Sequence, residues 1–212
     1  SSVEGSYSPG EYDPSTLDTF GDEWHFMDYG YKPFPGITFM HGAQTALQRM
    51  VIREDIEPDD VERITVHLDE QGWDTLRNEE PEDPFAAIAS PEFGLAVILR
   101  ERDHHLDHFD ADYVTAPETK AQMAKVERAV LDDDDFDMFG ARVVVETTDG
   151  EEYVEEAHYS PLSVSEERLT EKFYQCAESV LDRSTAEAID EAVAAVDDAE
   201  DLSAMLAHLR VE

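Results

Sequence analysis

A β-hairpin is the sequence feature that most restricts the fold of this chain. Residues 141–148 and 151–159 are rich in strand-forming side chains, and Asp149-Gly150 stands between them. An Asp-Gly pair in this setting is typical of a two-residue hairpin with a type I′ turn. The hairpin requires antiparallel pairing, and its apolar face needs a layer of helices to cover it.

Helical patterns surround this hairpin in the chain. Apolar residues recur at helical spacing over 41–53, whereas 61–68 alternates as a strand does. The segment 83–102 is densely apolar, and Pro91 predicts a break near Ser90 because proline removes an interior hydrogen bond. The remaining predictions are helices at about 115–125, 165–182, 184–196 and 199–210, and a short strand at 126–131. Together they predict an α+β fold with a small antiparallel sheet, helices packed on one face and a C-terminal helical tail.

Composition divides the chain into three expected parts. Residues 1–29 are rich in Ser, Gly, Pro and acidic residues with scattered aromatics, which indicates an irregular arm. Residues 30–160 are expected to form the α+β domain, and residues 161–212 the C-terminal helices. Because the chain begins with Ser and a linker-like segment, we expect a fragment, a processed chain or a short open reading frame.

Acidic residues far outnumber basic ones along the whole chain. Asp and Glu total 52 against 15 Lys and Arg, for a net charge of -37. Such repulsion opposes a compact state at ordinary ionic strength, but molar salt shortens the Debye length to ~3 Å. We therefore expect a halophilic protein of a saline cytoplasm; the alternative is an acidic mesophilic protein with a few acidic patches.

The same charge balance excludes several partners. No basic stripe is available to neutralise phosphates, so we expect no nucleic-acid partner and no anionic membrane partner. No apolar run approaches the roughly 20 residues of a membrane span, and no signal peptide opens the chain. The single cysteine, Cys176, excludes an internal disulfide and indicates a cytoplasmic protein. On its helical stripe Cys176 is expected to be a buried, inert thiol rather than a nucleophile.

Three segments, in the same order as in the family, resemble the C-terminal domain of the MmgE/PrpD (2-methylcitrate dehydratase-like) family. The first is YKPFP at 31–35 followed by His41, which is similar to the family's K-P-Y-P-x-x-x-x-x-H stretch. The second is SPEFGLA at 90–96, similar to its S-[LF]-x-Y-x-x-A helix. The third runs from Val126 through the hairpin to LTEKF at 169–173, similar to its closing strands and L-x-x-K-F helix.

The resemblance implies a lyase or isomerase that dehydrates, decarboxylates or epimerises small di- or tricarboxylic acids, as in propionate metabolism. It implies a homodimer that uses no metal and no organic cofactor. A large N-terminal helical domain would carry most catalytic residues, and the α+β domain would close over the substrate as a lid. This chain would therefore need that helical domain, or a companion chain that supplies it, and would be inactive alone. The alternative is a degenerate, non-catalytic dimerisation or binding module.

Lys32 and His41 are the leading candidates for catalysis and substrate binding. A polycarboxylate needs cationic partners, and Lys32 is one of only four lysines. His41 begins a predicted helix, whose macrodipole would lower the pKa of the imidazole and keep it neutral for proton transfer. The plainer alternative is that Lys32 is a surface charge and that His41 only caps its helix.

Ser90 and Phe93 complete the expected substrate-binding set through the resemblance. Phe93 is a departure, because the family position commonly holds Tyr and phenylalanine has no proton to donate. His104 and His108 are spaced i, i+4 and would form a metal pair only on a helix with a third ligand; without one we expect structural roles.

Overall fold

Four strands form one sheet in the part of the chain that the structure describes. The structure is a computed structural model that describes residues 15, 19–22, 30–131, 138–160, 164–199 and 201–208. The strands are β1 (Val61–Leu68), β2 (Val126–Val130), β3 (Gly140–Thr147) and β4 (Glu152–His158), in the order β2-β1-β3-β4. The pairs β1–β3 and β3–β4 are antiparallel, but β1 and β2 are parallel. The α+β class is confirmed, whereas the sheet is mixed rather than wholly antiparallel.

The parallel pair follows from the long connection between its strands. The helices of the described residues are α1 (His41–Arg53), α2 (Glu70–Thr75), α3 (Pro84–Ala87), α4 (Pro91–Glu101), α5 (Ala111–Thr115), α6 (Pro117–Met123), α7 (Glu166–Glu178), α8 (Arg183–Ala194) and α9 (Ser203–His208). Helices α2 to α6 lie between β1 and β2, and parallel strands need such a crossover. Helix α1 has the predicted bounds.

The hairpin joins β3 and β4 as predicted, but its turn is not type I′. That turn needs positive φ at both central residues, and Asp149 does not have it. Gly150 has a φ of 89°, and its N–H donates to the Thr147 carbonyl at 3.0 Å. The Thr147 hydroxyl also accepts the Glu151 N–H at 3.0 Å. The loop therefore closes at Thr147, whereas a two-residue turn would close at Thr148. The connection is thus a three-residue loop that ends in a left-handed glycine.

Alternation along the strands places one sheet face against α1. Ile64, Val66, Val143 and Val145 are fully buried in the main core. Helix α1 contributes its predicted apolar stripe to the same core and contacts β3 and β4. The opposite face is polar, and there the Arg63 guanidinium pairs with a Glu146 oxygen at 2.6 Å.

The expected break at Ser90 divides the apolar segment into α3 and α4. Pro91 opens α4, and the Ser90 hydroxyl accepts the Phe93 N–H at 3.1 Å as an N-cap. One side of α4 packs on α1, and the other joins a second core cluster that contains Phe93, Val97 and Val114. Helix α4 is therefore buried on nearly all sides.

The C-terminal helices are less covered than predicted. Ser165 caps α7, but no residue of α7 is fully buried, and Val180 beyond its end is 74% exposed. The expectation of a buried Cys176 is wrong: the thiol is half-buried, on a helix that has no fully buried residue.

The chain divides into two units, Ser1–Gly30 and Tyr31–Glu212, and the elements described above lie in the second. The second unit includes α7 to α9, so no separate unit begins at residue 161 by this division. The boundaries at 30 and 161 stay predictions. None of the helices in the described ranges has the length and apolar character needed to cross a membrane.

Candidate functional site

A tight turn formed by residues 32–36, called here the Lys32 turn, precedes α1. Pro33 and Pro35 restrict its backbone, and Gly36 has a φ of 99°, a region that favours glycine. The Lys32 ammonium donates to the Gly36 carbonyl at 3.1 Å. Phe34 is buried and anchors the turn in the main core. The turn therefore presents an exposed lysine on a rigid backbone.

Two cations of α7 hold the Lys32 turn from outside. The Arg168 guanidinium donates to the Pro33 carbonyl at 3.1 Å, and the Lys172 ammonium donates to the Lys32 carbonyl at 2.6 Å. Arg168 is itself fixed by Asp103, whose two carboxylate oxygens accept from it at 2.6 and 2.7 Å. The arrangement brings Lys172 next to Lys32, although the two are 140 residues apart in the chain.

A pocket of about 250 Å³, called here the Lys32 pocket, lies between the turn and α7. It is lined by residues 32–36 and 104–107 and by α7 side chains that include Lys172 and Cys176. Two of the chain's four lysines thus line one pocket, and among its described lining residues Asp107 alone is acidic. In a chain of net charge -37, this pocket is suited to an anion.

His41 lies beside the pocket but does not line it. Its side chain is fully buried, and neither ring nitrogen has a hydrogen-bond partner in the described part of the chain. The ring contacts Tyr159 at a centroid distance of 5.1 Å and Phe34 at 6.0 Å. Burial, with the nearby charges of Lys32 and Lys172, lowers the pKa of His41 to about 3. His41 is therefore neutral, with burial as the largest cause of the lowered pKa.

Ser90 and Phe93 are also buried and do not line the pocket. The Ser90 hydroxyl caps α4 and donates weakly to Glu92 at 3.4 Å. The Phe93 ring lies against His104 and Phe109, at centroid distances of 5.7 and 5.4 Å. Of the four predicted site residues, only Lys32 reaches the pocket, and the roles of all four stay predictions.

Lys172 and His104 line the pocket but were not predicted from the sequence as substrate-binding residues. His104 is 1% exposed, lines the pocket and has its Nδ1 2.8 Å from the Gln44 amide nitrogen. The scarcity of lysine was the available indication for Lys172, which lies within the LTEKF segment. Nothing local in the sequence distinguished His104 from its histidine neighbours.

The histidine cluster does not form the helical metal pair considered from the sequence. Leu106–Phe109 is a short 3-10 helix, and the His108 Nδ1 accepts the His105 N–H at 2.9 Å, which caps it. Among the described residues no group of three or more His, Cys, Asp or Glu side chains is arranged to hold a metal ion.

A larger cleft of about 510 Å³ beside α6 and β2 has the opposite character. Its lining includes four glutamates, namely Glu79, Glu80, Glu82 and Glu92. Its Arg128 is already paired with Glu92, and its remaining base is Lys120. This acidic cleft is poorly suited to a carboxylate ligand, so the Lys32 pocket is the candidate site.

Gly36→Ala is expected to destabilise the protein by about 2 to 3 kcal/mol, because a side chain at positive φ is strained and its Cβ would overlap Met40. That Cβ would overlap the Met40 Cε and would lie 3.1 Å from the Ile88 carbonyl oxygen. Gly150→Ala is the matched control, since Gly150 also has positive φ but no atom within 4 Å of the added Cβ. Urea unfolding in molar KCl measures both, and equal losses would contradict the packing argument.

Residues 34–198 match the sequence model described as the MmgE/PrpD C-terminal domain. The match begins two residues after Lys32 and includes His41, Ser90 and Phe93. It also spans the four strands and the helices α1 to α8. No curated protein matches the chain significantly.

Proposed function

The chain belongs to the MmgE/PrpD family through its C-terminal domain, and from this premise we propose that it is the α+β part of a lyase or isomerase of small di- or tricarboxylic acids. The observation that carries the proposal is the Lys32 pocket, which gathers two of four lysines in a chain of net charge -37. A 2-methylcitrate dehydratase-like reaction is the form of this activity that the sequence resemblance favours.

The proposed role of the pocket is to hold the carboxylates of the substrate. Lys32, which is exposed, and Lys172, which is half-buried, supply ammonium groups that can form charge-assisted hydrogen bonds to carboxylates. Lys172 is already desolvated enough that burial lowers the pKa of its ammonium. In the proposed mechanism Lys32 orients one carboxylate of the substrate. His41 stays a proposed catalytic residue, and its ring is buried behind the turn, outside the pocket lining.

General acid–base chemistry is assigned in this proposal to a helical domain, carried by the same polypeptide or by a companion chain. The half-buried stripe of α7 is a surface on which such a domain could pack. We propose a homodimer that needs no metal or organic cofactor, as the family resemblance implies. The isolated chain would then bind substrate and leave it unchanged.

A non-catalytic binding module is the second candidate, and the burial of Phe93 favours it. The ring lacks the hydroxyl of the common family residue and lies in an apolar cluster rather than in the pocket. This candidate keeps the anion pocket but not the reaction. An assay that combines the chain with the helical domain and follows the loss or gain of water by the carboxylic acid distinguishes the two candidates. The enzyme part predicts this reaction, and the binding module does not. Turnover by the chain alone would contradict the assigned division of labour.

Citrate, 2-methylcitrate or cis-aconitate is expected to raise the unfolding temperature in molar KCl, since a ligand that binds only the folded state stabilises it by mass action. At about 100 times Kd the stabilisation is about 2.7 kcal/mol. Lys32→Met and Lys172→Met are each expected to weaken citrate binding about 10- to 100-fold, because each removes a charge-assisted hydrogen bond.

Lys120→Met is the matched control, because Lys120 lies in the acidic cleft and not in the Lys32 pocket. It removes the same charge from the chain and is expected to leave the Kd of citrate unchanged. The neutral triethyl ester of citrate tests the need for carboxylates. If all three lysine variants bind alike, or if no acid shifts the unfolding temperature, the proposed site is wrong.

A further inference from the structure

His104 lines the Lys32 pocket, and one of its ring nitrogens has no hydrogen-bond partner among the described residues. The ring is 1% exposed and packs between Phe93 and Phe109, with centroid distances of 5.7 and 5.2 Å. Its Nδ1 lies 2.8 Å from the Gln44 Nε2, but its Nε2 is shielded from water and has no partner among the described residues. A buried imidazole nitrogen without a partner is unfavourable unless a ligand supplies one.

The contact with Gln44 sets which nitrogen of His104 carries the proton. The amide nitrogen of Gln44 can only donate, so the Nδ1 accepts and the proton of the neutral ring resides on Nε2. Gln44 is fully buried on α1, and its amide lies directly over Gly94 of α4. A Cβ at position 94 would lie 2.8 Å from the Gln44 Nε2, so glycine there leaves the space that the amide occupies.

We propose that the Nε2–H of His104 donates a hydrogen bond to an oxygen of the carboxylate ligand in the Lys32 pocket, with Gln44 and Gly94 as positioning residues. This inference rests on the proposed function, because it assumes that the pocket holds a carboxylic acid. His104 would complement the two lysines: they supply charge, and a neutral donor of fixed direction selects the orientation of the bound oxygen.

The surroundings of His104 keep it neutral, which a constant donor requires. Burial, together with the facing charges of His108, His105 and His41, lowers its pKa to about 3, and Asp103 opposes that shift only in part. Between pH 6 and pH 8 the ring therefore has one proton. The contribution of His104 to binding is expected to be the same at pH 6 and pH 8.

The test uses the full chain with citrate as the probe. His104→Phe keeps an aromatic ring beside Phe93 and removes the donor, and it is expected to weaken citrate binding about 10-fold. His104→Gln can return an N–H near the position of Nε2 and is expected to recover part of the affinity. His67→Phe on β1, outside the pocket lining, is the control and is expected to bind as the wild type does.

Gly94→Ala tests the positioning role without touching His104. It is expected to displace the Gln44 amide and to weaken citrate binding several-fold, with the two lysines intact. The ¹⁵N shifts of the His104 ring supply an independent readout: they should report protonated Nε2 in the free chain and a change at Nε2 when citrate binds. A proton on Nδ1, or no change at Nε2, would overturn the proposal.

Failure of this inference is distinguishable from failure of the proposed function. If the lysine variants lose citrate while His104→Phe keeps the wild-type Kd, the donor role is wrong and the pocket stands. If the wild type binds no carboxylic acid, the proposed function has failed first. The near-ultraviolet circular dichroism of each free variant separates lost binding from lost folding.

Discussion

Lowering the pH from 6.5 to 4.5 is expected to remove about 5 kcal/mol of stability contributed by two buried histidines. The pKa of His41 and that of His104 are each lowered to about 3, with burial as the largest cause. Below pH 6.5 the unfolded chain takes up a proton at each imidazole that the folded chain cannot accept. The contribution is therefore complete above pH 6.5 and decreases by about 1.4 kcal/mol per pH unit for each ring as the pH falls.

The effect must be separated from the titration of 52 carboxyl groups. Their protonation relieves repulsion, which acts in the opposite direction, and molar KCl screens most of it. We therefore compare the wild type with His41→Leu in urea at pH 7.5, 6.0 and 5.0. Leucine fills the site between Phe34 and Tyr159 and does not titrate. On acidification this variant is therefore expected to lose less stability than the wild type, by about 1.4 kcal/mol per pH unit.

His67→Leu is the control for removal of a histidine as such, because His67 is only half-buried on β1. Parallel pH profiles for the wild type and His41→Leu would show that His41 accepts a proton in the folded chain. The ring would then be accessible, contrary to the burial described above.

Replacing Arg128 by methionine is expected to destabilise the protein by about 3 kcal/mol, because a nearly buried carboxylate is left without its partner. Glu92 is 5% exposed and Arg128 is 22% exposed by side chain, with an Nε to Oε1 distance of 2.6 Å. A second bond of 3.0 Å joins the Arg128 Nη2 to the other Glu92 oxygen. The pair connects the first turn of α4 to β2.

The double variant Arg128→Met/Glu92→Met is expected to recover most of this loss, since two apolar side chains replace the whole ion pair. Glu92→Met alone is expected to cost about 1 kcal/mol, because Arg128 is partly exposed and has Glu79 at 3.6 Å as a second partner. A double-mutant cycle in urea gives the coupling between the two. Strictly additive losses would mean that the pair contributes no interaction of its own.

The two histidines illustrate a general feature of this site, since both have ring nitrogens buried without partners in the described part of the chain. Such groups lower stability, and proteins retain them mainly where function needs them. Both rings lie beside the Lys32 pocket, where His41 contacts Phe34 of the turn and His104 contacts Phe93 of α4. This placement supports the proposed carboxylate site independently of the lysine count.

Local patterns predicted the elements whose conformation depends on near neighbours. The bounds of α1, the break at Ser90 and the pairing of β3 with β4 follow from apolar periodicity, proline geometry and turn residues. The turn type was wrong because the Thr147 side chain competes for the hydrogen bonds of the loop. The parallel partner of β1 was missed because Val126–Val130 is short, and nothing within it indicates which strand it joins.

The α+β class and the family could be inferred from the sequence, since both depend on the order and spacing of residues along the chain. The packed fold was needed to show that Lys172 and His104 share a pocket with Lys32 and that His41 lies behind it. Sequence patterns record helix periodicity, caps and turn residues, which act within a few residues of the chain. A pocket, by contrast, is made by segments that meet only when the core has packed, as Lys32 and Lys172 do across 140 residues.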